Sequence, residues 1–195
     1  MSGILDMIMG QLDQGKVGQI GQRIGASQDQ TSQAIQAALP VILGQLTRNS
    51  QSSGAAEGLA KAITKDHDGS ILDNLGGFLG QAVSDRDDRM MGHIFGNRRQ
   101  NVERQLGKAS GLDSGTMAKL MATLGPMVMG AIGKSQQQGG GGLADLLGQE
   151  RQRAESKGTG FGVVDKLLDA DGDGDVDMSD LLSRGSGILG GLFKR

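Results

Sequence analysis

The sequence contains no cysteine, no tryptophan and no tyrosine among its 195 residues, and only two prolines. Without cysteine, disulfide bonds, thiol chemistry and Cys-ligated zinc sites are excluded. With four phenylalanines as its only aromatic residues, the chain has to build its core from aliphatic side chains and from its ten methionines, which adapt to irregular gaps. The length suits one moderate domain or two small ones.

Long hydrophobic runs are absent as well. The longest uncharged apolar stretch, residues 120–133, is shorter than the ~18–20 residues that a membrane span needs, and it contains Pro126. The N-terminus has no basic segment and carries Asp6 among its apolar residues, which argues against a secretory signal. We therefore expect a soluble, cytoplasmic protein without a membrane span.

Neither sign of charge dominates, because 20 Lys and Arg residues face 22 Asp and Glu residues. The locally basic stretch at residues 97–105 has no aromatic residues interleaved with its charges. This pattern is typical of a solvated helix face, so nucleic acid is not expected as a partner.

Apolar residues recur at helical spacing in four stripes, over residues 4–12, 35–46, 71–83 and 117–132. No segment alternates with a period of two, so the sequence predicts an all-α fold. Three pairs have the spacing of an N-cap and the residue that answers it three positions later: Ser27 with Gln30, Ser70 with Asp73, and Asn97 with Gln100.

An internal repeat relates the segment that starts at Ile20 to the segment that starts at Val102. The matching positions are Ile20 with Val102, Ile24 with Leu106, Gly25 with Gly107, and, after a small insertion, Pro40 with Pro126 and Gly44 with Gly130. Each unit is predicted to be a short helix, a capped turn and a long apolar helix, whose proline should kink it or start a new helix. The sequence thus predicts a Gly-rich helical bundle in which two degenerate repeats share one core.

Glycine is abundant, with 35 residues, and often recurs four positions apart. We expect most of these glycines to be helix C-caps and turns, although close contacts between helices are the alternative. The stretch SQQQGGGG predicts a linker at residues 135–142. It would separate a helical domain at residues 1–134 from a C-terminal segment at residues 143–195.

The C-terminal segment holds the most specific motif, LDADGDGDVDMSDLL at residues 168–182. Gly174 and Val176 occupy positions 6 and 8 of a twelve-residue EF-hand loop, where a sharp turn and an apolar residue are needed. The candidate metal ligands, at positions 1, 3, 5, 7, 9 and 12, are Asp169, Asp171, Asp173, Asp175, Asp177 and Asp180.

The spacing suits a hard dication that takes six to eight oxygen ligands at about 2.3–2.6 Å. Asp180 departs from the pattern, because position 12 is usually the longer Glu; dockerin-type loops, which this segment resembles in ligand pattern, share that departure. Apolar stripes on both flanks predict a helix–loop–helix of EF-hand type that binds one Ca²⁺ ion, with magnesium as the weaker candidate. The alternative is a solvated acidic turn without an ion.

A second acidic turn, KDHDGSILD at residues 65–73, keeps too few ligands for a metal. It is predicted to be a turn in which Ser70 caps the next helix. The two histidines, His67 and His93, lie far apart in sequence, and His93 is expected to be a hydrogen-bonded core residue. No phosphate-binding loop and no nucleophile elbow is present, so an enzyme is not expected.

MMGHIFG at Met90 to Gly96, together with KDHDGSILDNLGGFLG upstream, resembles the bacterial family catalogued as domain of unknown function 937. The resemblance covers roughly Ser2 to Gly133. It implies a helical bacterial protein and transfers no activity and no catalytic residue.

Two functions follow from these observations. In the first, the chain is a calcium-binding helical protein that serves protein–protein interaction or structural stabilisation, through an unknown protein partner or through self-association. In the second, it is a metal-independent, self-associating structural protein whose acidic loop is only a solvated turn.

Overall fold

The computed structural model describes residues 3–139 and 142–156. All regular structure in these ranges is helical, without a strand, which confirms the all-α fold class. The helices are α1 (Ile4–Gln11), α2 (Gln14–Ile24), α3 (Gln28–Ser50), α4 (Ser53–Asp66), α5 (Ser70–Asp73), α6 (Leu75–Leu79), α7 (Asp85–Phe95), α8 (Arg99–Ser110), α9 (Ser114–Gly139) and α10 (Leu143–Ser156), with a 3₁₀ turn at Gly96–Arg98. None of these helices is long and apolar enough to cross a bilayer.

Helices α3 and α9 form the centre of the fold and pack against each other. Helices α2 and α10 lie against α3, helices α1 and α7 lie against α9, and α8 packs against both central helices. Leu43 of α3 and Leu120 and Leu124 of α9 are fully removed from water. Since burying one such side chain stabilises the fold by about 1.5–3 kcal/mol, the two long apolar stripes dominate the core.

Both prolines lie inside continuous helices, Pro40 in α3 and Pro126 in α9. Of the two predicted alternatives, a kink or the start of a new helix at the proline, the second is therefore wrong. A proline removes one backbone hydrogen bond from a helix. The residues around Pro126, Leu124 and Met127, are both fully buried, so tertiary packing holds α9 together across its proline.

The turns between α2 and α3 and between α8 and α9 have the same geometry. Gly25 ends α2 with φ +82°, and Gly111 ends α8 with φ +69°, both in the left-handed region that favours glycine. In the internal repeat, Gly25 therefore corresponds to Gly111 and not to Gly107, the residue with which the sequence analysis matched it. With this correction Pro40 and Pro126 lie equally far beyond their turns, and no insertion is needed.

The predicted N-caps had mixed outcomes. Ser27 and Gln30 form the expected capping box. Asn97 caps no helix, because it lies in the 3₁₀ turn and α8 begins only at Arg99. Ser70 does not cap α5 either. The backbone amide of Ser70 instead donates a hydrogen bond to the Asp68 side chain over 3.0 Å.

The stripe at residues 71–83 is two short helices rather than one. Asn74 separates α5 from α6 with φ −128° and ψ 48°, and its side chain accepts a hydrogen bond from the amide of Gly77. Helix α6 already ends at Leu79. An asparagine side chain that bonds the nearby backbone offers an alternative to a continuous helix.

The predicted linker at residues 135–142 is helical over its first five residues, which are the end of α9. Beyond it, α10 packs against α3 and α9, and its Leu147 is fully buried. Residues 143–156 therefore belong to the helical body and not to a separate C-terminal unit. Glutamine is a good helix former, so the polar composition of residues 135–138 did not end the helix.

Candidate functional site

A cavity of about 470 Å³ lies between α4 and α7. Its floor comes from the central helices, through Leu46 of α3 and Met129 of α9, and its walls include Leu59 of α4 and Met90 of α7. Helix α4 packs on α3 and α9 but scarcely contacts α7. The gap between these two helices therefore stays open above an apolar floor.

Charged and polar side chains form one side of the cavity. The Arg86 guanidinium lies 3.0 Å from the Asp66 carboxylate, in an ion pair whose two side chains are exposed. Arg89 is exposed and forms no ion pair with any residue within the described ranges. His67 and His93 also line the cavity, so the structure brings together two histidines that lie far apart in sequence.

His93 is exposed on the rim of this cavity, which corrects the expectation of a core histidine. Helix α7 buries Met91, Ile94 and Phe95. These side chains already form its core-facing side, and His93 falls outside it. The Ile94 carbonyl accepts a hydrogen bond from the Asn49 side chain over 2.9 Å, which ties this end of α7 to α3.

His67 follows the last residue of α4 and is half-buried. Its carbonyl oxygen lies against Gly133 of α9, so close that a Cβ atom at position 133 would be 2.0 Å from it. Burial lowers the pKa of the His67 imidazole below its usual value, and the positive charge of Arg86 lowers it further. The neighbouring carboxylates of Asp66 and Asp87 act in the opposite direction without reversing the shift.

The second acidic segment, at residues 65–73, forms a tight turn at Gly69 that packs on α9. The turn itself was predicted from the sequence. Gly69 has φ +97°, and a Cβ atom there would lie 2.8 Å from the Cβ of Lys134. Two hydrogen bonds to the Asp68 carboxylate lower its pKa. The bond from the Ser70 side chain has the larger effect, and the bond from the Ser70 amide the smaller. This carboxylate is therefore used in capping α5.

The segment GHIFGNRR forms the corner between α7 and α8. Gly96 ends α7 with φ +55°, and Arg99 then reaches back to α7. Its guanidinium donates to the Asp88 carbonyl over 2.8 Å, pairs with the Asp88 carboxylate, and donates to Glu103 of α8 over 2.6 Å. The hydrogen bond from Arg99 lowers the pKa of Asp88. These contacts tie the first turn of α7 to α8 across the corner.

The predicted metal ligands, Asp169 to Asp180, lie outside the described residues. Among residues 3–139 and 142–156, no group of three or more His, Asp or Glu side chains is arranged to hold a metal ion. Within these ranges the candidate site is therefore the cavity, and calcium binding by the acidic loop stays a prediction.

Sequence reasoning did not find Asp66, Arg86 and Arg89 as candidate site residues. A usable signal was present in Ser84 and Asp87, which form a capping box at the start of α7. That box fixes the start of α7. Arg86, Arg89 and His93 then follow at spacings of three and four residues, which places them on one face.

A protein-family model described as "Bacterial protein of unknown function (DUF937)" matches residues 6–135. The chain belongs to this family. The match confirms the family predicted from the sequence and covers nearly the same range. Every residue that lines the cavity lies inside the part that matches DUF937. No curated protein and no solved structure matches the chain.

Proposed function

We propose that this DUF937 member is a calcium-binding helical protein that acts through protein–protein contacts or as a structural element, without a catalytic role. The observation that supports calcium is the spacing of the aspartates from Asp169 to Asp180. Five aspartates at alternate positions and a sixth at position 12 match the ligand spacing of an EF-hand loop, in which position 7 contributes its backbone carbonyl.

The physical argument for an ion is electrostatic. Six like charges within twelve residues repel one another, and a bound dication removes much of that repulsion. Because Asp180 is shorter than the usual Glu, it supplies a weaker final ligand. We therefore expect a dissociation constant in the weaker range for such loops, ~10⁻⁵–10⁻³ M.

The test is isothermal titration of the full chain with calcium, beside two single variants. Asp169→Asn removes the first ligand, whereas Asp29→Asn removes an exposed carboxylate from the first turn of α3. The expected result is saturable binding of one ion that Asp169→Asn weakens by at least about tenfold and Asp29→Asn leaves unchanged. Absence of saturable heat contradicts calcium binding, and equal binding by the two variants contradicts the assignment of the ion to the loop that begins at Asp169.

Size-exclusion chromatography with light scattering separates this proposal from metal-independent self-association. The calcium proposal predicts that a chelator changes the hydrodynamic size or the oligomeric state. A stable oligomer that is indifferent to the chelator supports the alternative, a self-associating structural protein.

A further inference from the structure

We propose that the cavity between α4 and α7 binds a small amphiphilic anion, an aliphatic carboxylate, independently of calcium. The site is separate from the acidic loop, and it is built only from residues of the helical body. Its ligand class follows from three properties: an apolar interior, a surplus of positive charge on the rim, and a wall that leaves open space.

The interior suits an aliphatic tail. The cavity volume of about 470 Å³ falls within the ~300–1,000 Å³ that is usual for small-molecule sites. Leu46 and Met129 line its base with 0 % and 2 % of their surfaces exposed, and Met90 lines its side. Methionine side chains adapt to ligands of irregular shape, and no charged side chain lies at the base.

The rim carries more positive than negative charge. Among the lining residues Asp66 is the one carboxylate, and Arg86 is already paired with it. Arg89 forms no ion pair with the described residues; the nearby Asp88 carboxylate, which interacts with its charge, is already paired with Arg99. A guanidinium presents a planar fork of donors that matches a carboxylate. A ligand with an anionic head would therefore find a partner at Arg89, whereas a cationic head would meet repulsion.

The α4 wall leaves the space for such a ligand. Gly58 lines the cavity, and a Cβ atom built on it would meet no atom within 4 Å. A larger side chain at position 58 would project into this open space. Gly54, one turn earlier on the same helix, also has open space around it but does not line the cavity, so it provides a matched control.

The experiment titrates the full chain with decanoate and with decyltrimethylammonium, which have the same tail length and opposite head charges. A chelator is present throughout, so failure of the acidic loop to bind calcium has no effect on the outcome. Calorimetry gives the affinity, and spectra of ¹³C-labelled methionine methyl groups locate the ligand. Met90 and Met129 should shift on binding, whereas Met9, exposed on α1, should not.

Four variants divide the prediction into its parts. Gly58→Leu should abolish decanoate binding, whereas Gly54→Leu should keep it. Arg89→Gln should weaken decanoate by roughly tenfold, which is the effect of one charge-assisted hydrogen bond, whereas Lys61→Gln, an exposed residue of α4 outside the cavity, should not. Circular dichroism of each variant shows whether the helices are kept.

The result that supports the proposal is saturable decanoate binding that shifts Met90 and Met129, responds to both cavity variants, and exceeds the binding of the cationic amphiphile by roughly tenfold. Equal affinity for the two head groups overturns the anionic assignment. Methyl shifts at Met9 of similar size, or the same affinity in Gly58→Leu and Gly54→Leu, overturn the site.

Discussion

The Glu150 carboxylate accepts a hydrogen bond from the backbone amide of Ile4 over 2.7 Å. Gly3, the N-cap of α1, has no side chain with which to cap the helix, and a Cβ atom there would lie 2.7 Å from the same carboxylate. Glu150 is 5 % exposed, and its other oxygen pairs with Arg153 over 3.1 Å. Helix α10 therefore caps α1 from the far end of the described chain.

This contact predicts that Glu150→Ala lowers the free energy of unfolding by about 2 kcal/mol, since it leaves a buried amide without its charged acceptor. Glu150→Gln, which keeps an acceptor oxygen, should cost less. Urea unfolding followed by circular dichroism measures both. The control is Glu57→Ala, at an exposed position on α4; if it destabilises the protein as much as Glu150→Ala, the capping contact is not the cause.

A second prediction concerns the place where the helical body ends. A chain of residues 1–139 lacks α10 and should lose at least about 3 kcal/mol relative to a chain of residues 1–156, because Leu143 and Leu147 are both buried. The comparison of their urea midpoints and m-values checks this. If the two chains were equally stable, α10 would not contribute to the helical body, and a domain boundary would lie after α9.

The helix class and the two central helices could be predicted from sequence, because their apolar residues recur at helical spacing over many turns. The end of α9 could not, because residues 135–138 are polar and no apolar spacing marks them as helical. The Gln137 side chain there donates a hydrogen bond to the Asp68 carbonyl over 2.9 Å, a contact between distant residues that a local pattern cannot record.

The third prediction is that Gly133→Ala destabilises the protein by about 2–3 kcal/mol. A methyl group at this position would lie 2.0 Å from the His67 carbonyl, so the turn after α4 has to move. Gly148→Ala in α10 is the control, because no atom lies within 4 Å of its Cβ position; it should be neutral or stabilising by up to about 1 kcal/mol. Thermal unfolding of both variants distinguishes the two outcomes.

The cavity could not be predicted from the sequence either, because it also depends on contacts between distant residues. His67 and His93 come from different helices, and only the packing of α4 and α7 on α3 and α9 brings them to one cavity. The conformation of the GHIFG segment is set by Gly96 and by the contacts of Arg99 with Asp88 and Glu103, and not by His93.

The last prediction uses the lowered pKa of His67. Because the unfolded chain takes up a proton near pH 6.5 and the folded protein does so only at lower pH, the unfolded state binds more protons in that window. The stabilising contribution of neutral His67 is therefore fully present above about pH 6.5 and is lost as the pH falls through the folded pKa. Urea unfolding at a series of pH values between neutral and mildly acidic should show a smaller loss of stability in His67→Gln than in the unmodified protein. His93→Gln, at the exposed histidine of the same cavity, is the matched control. If both variants follow the pH profile of the unmodified protein, burial of His67 contributes nothing to its acid sensitivity.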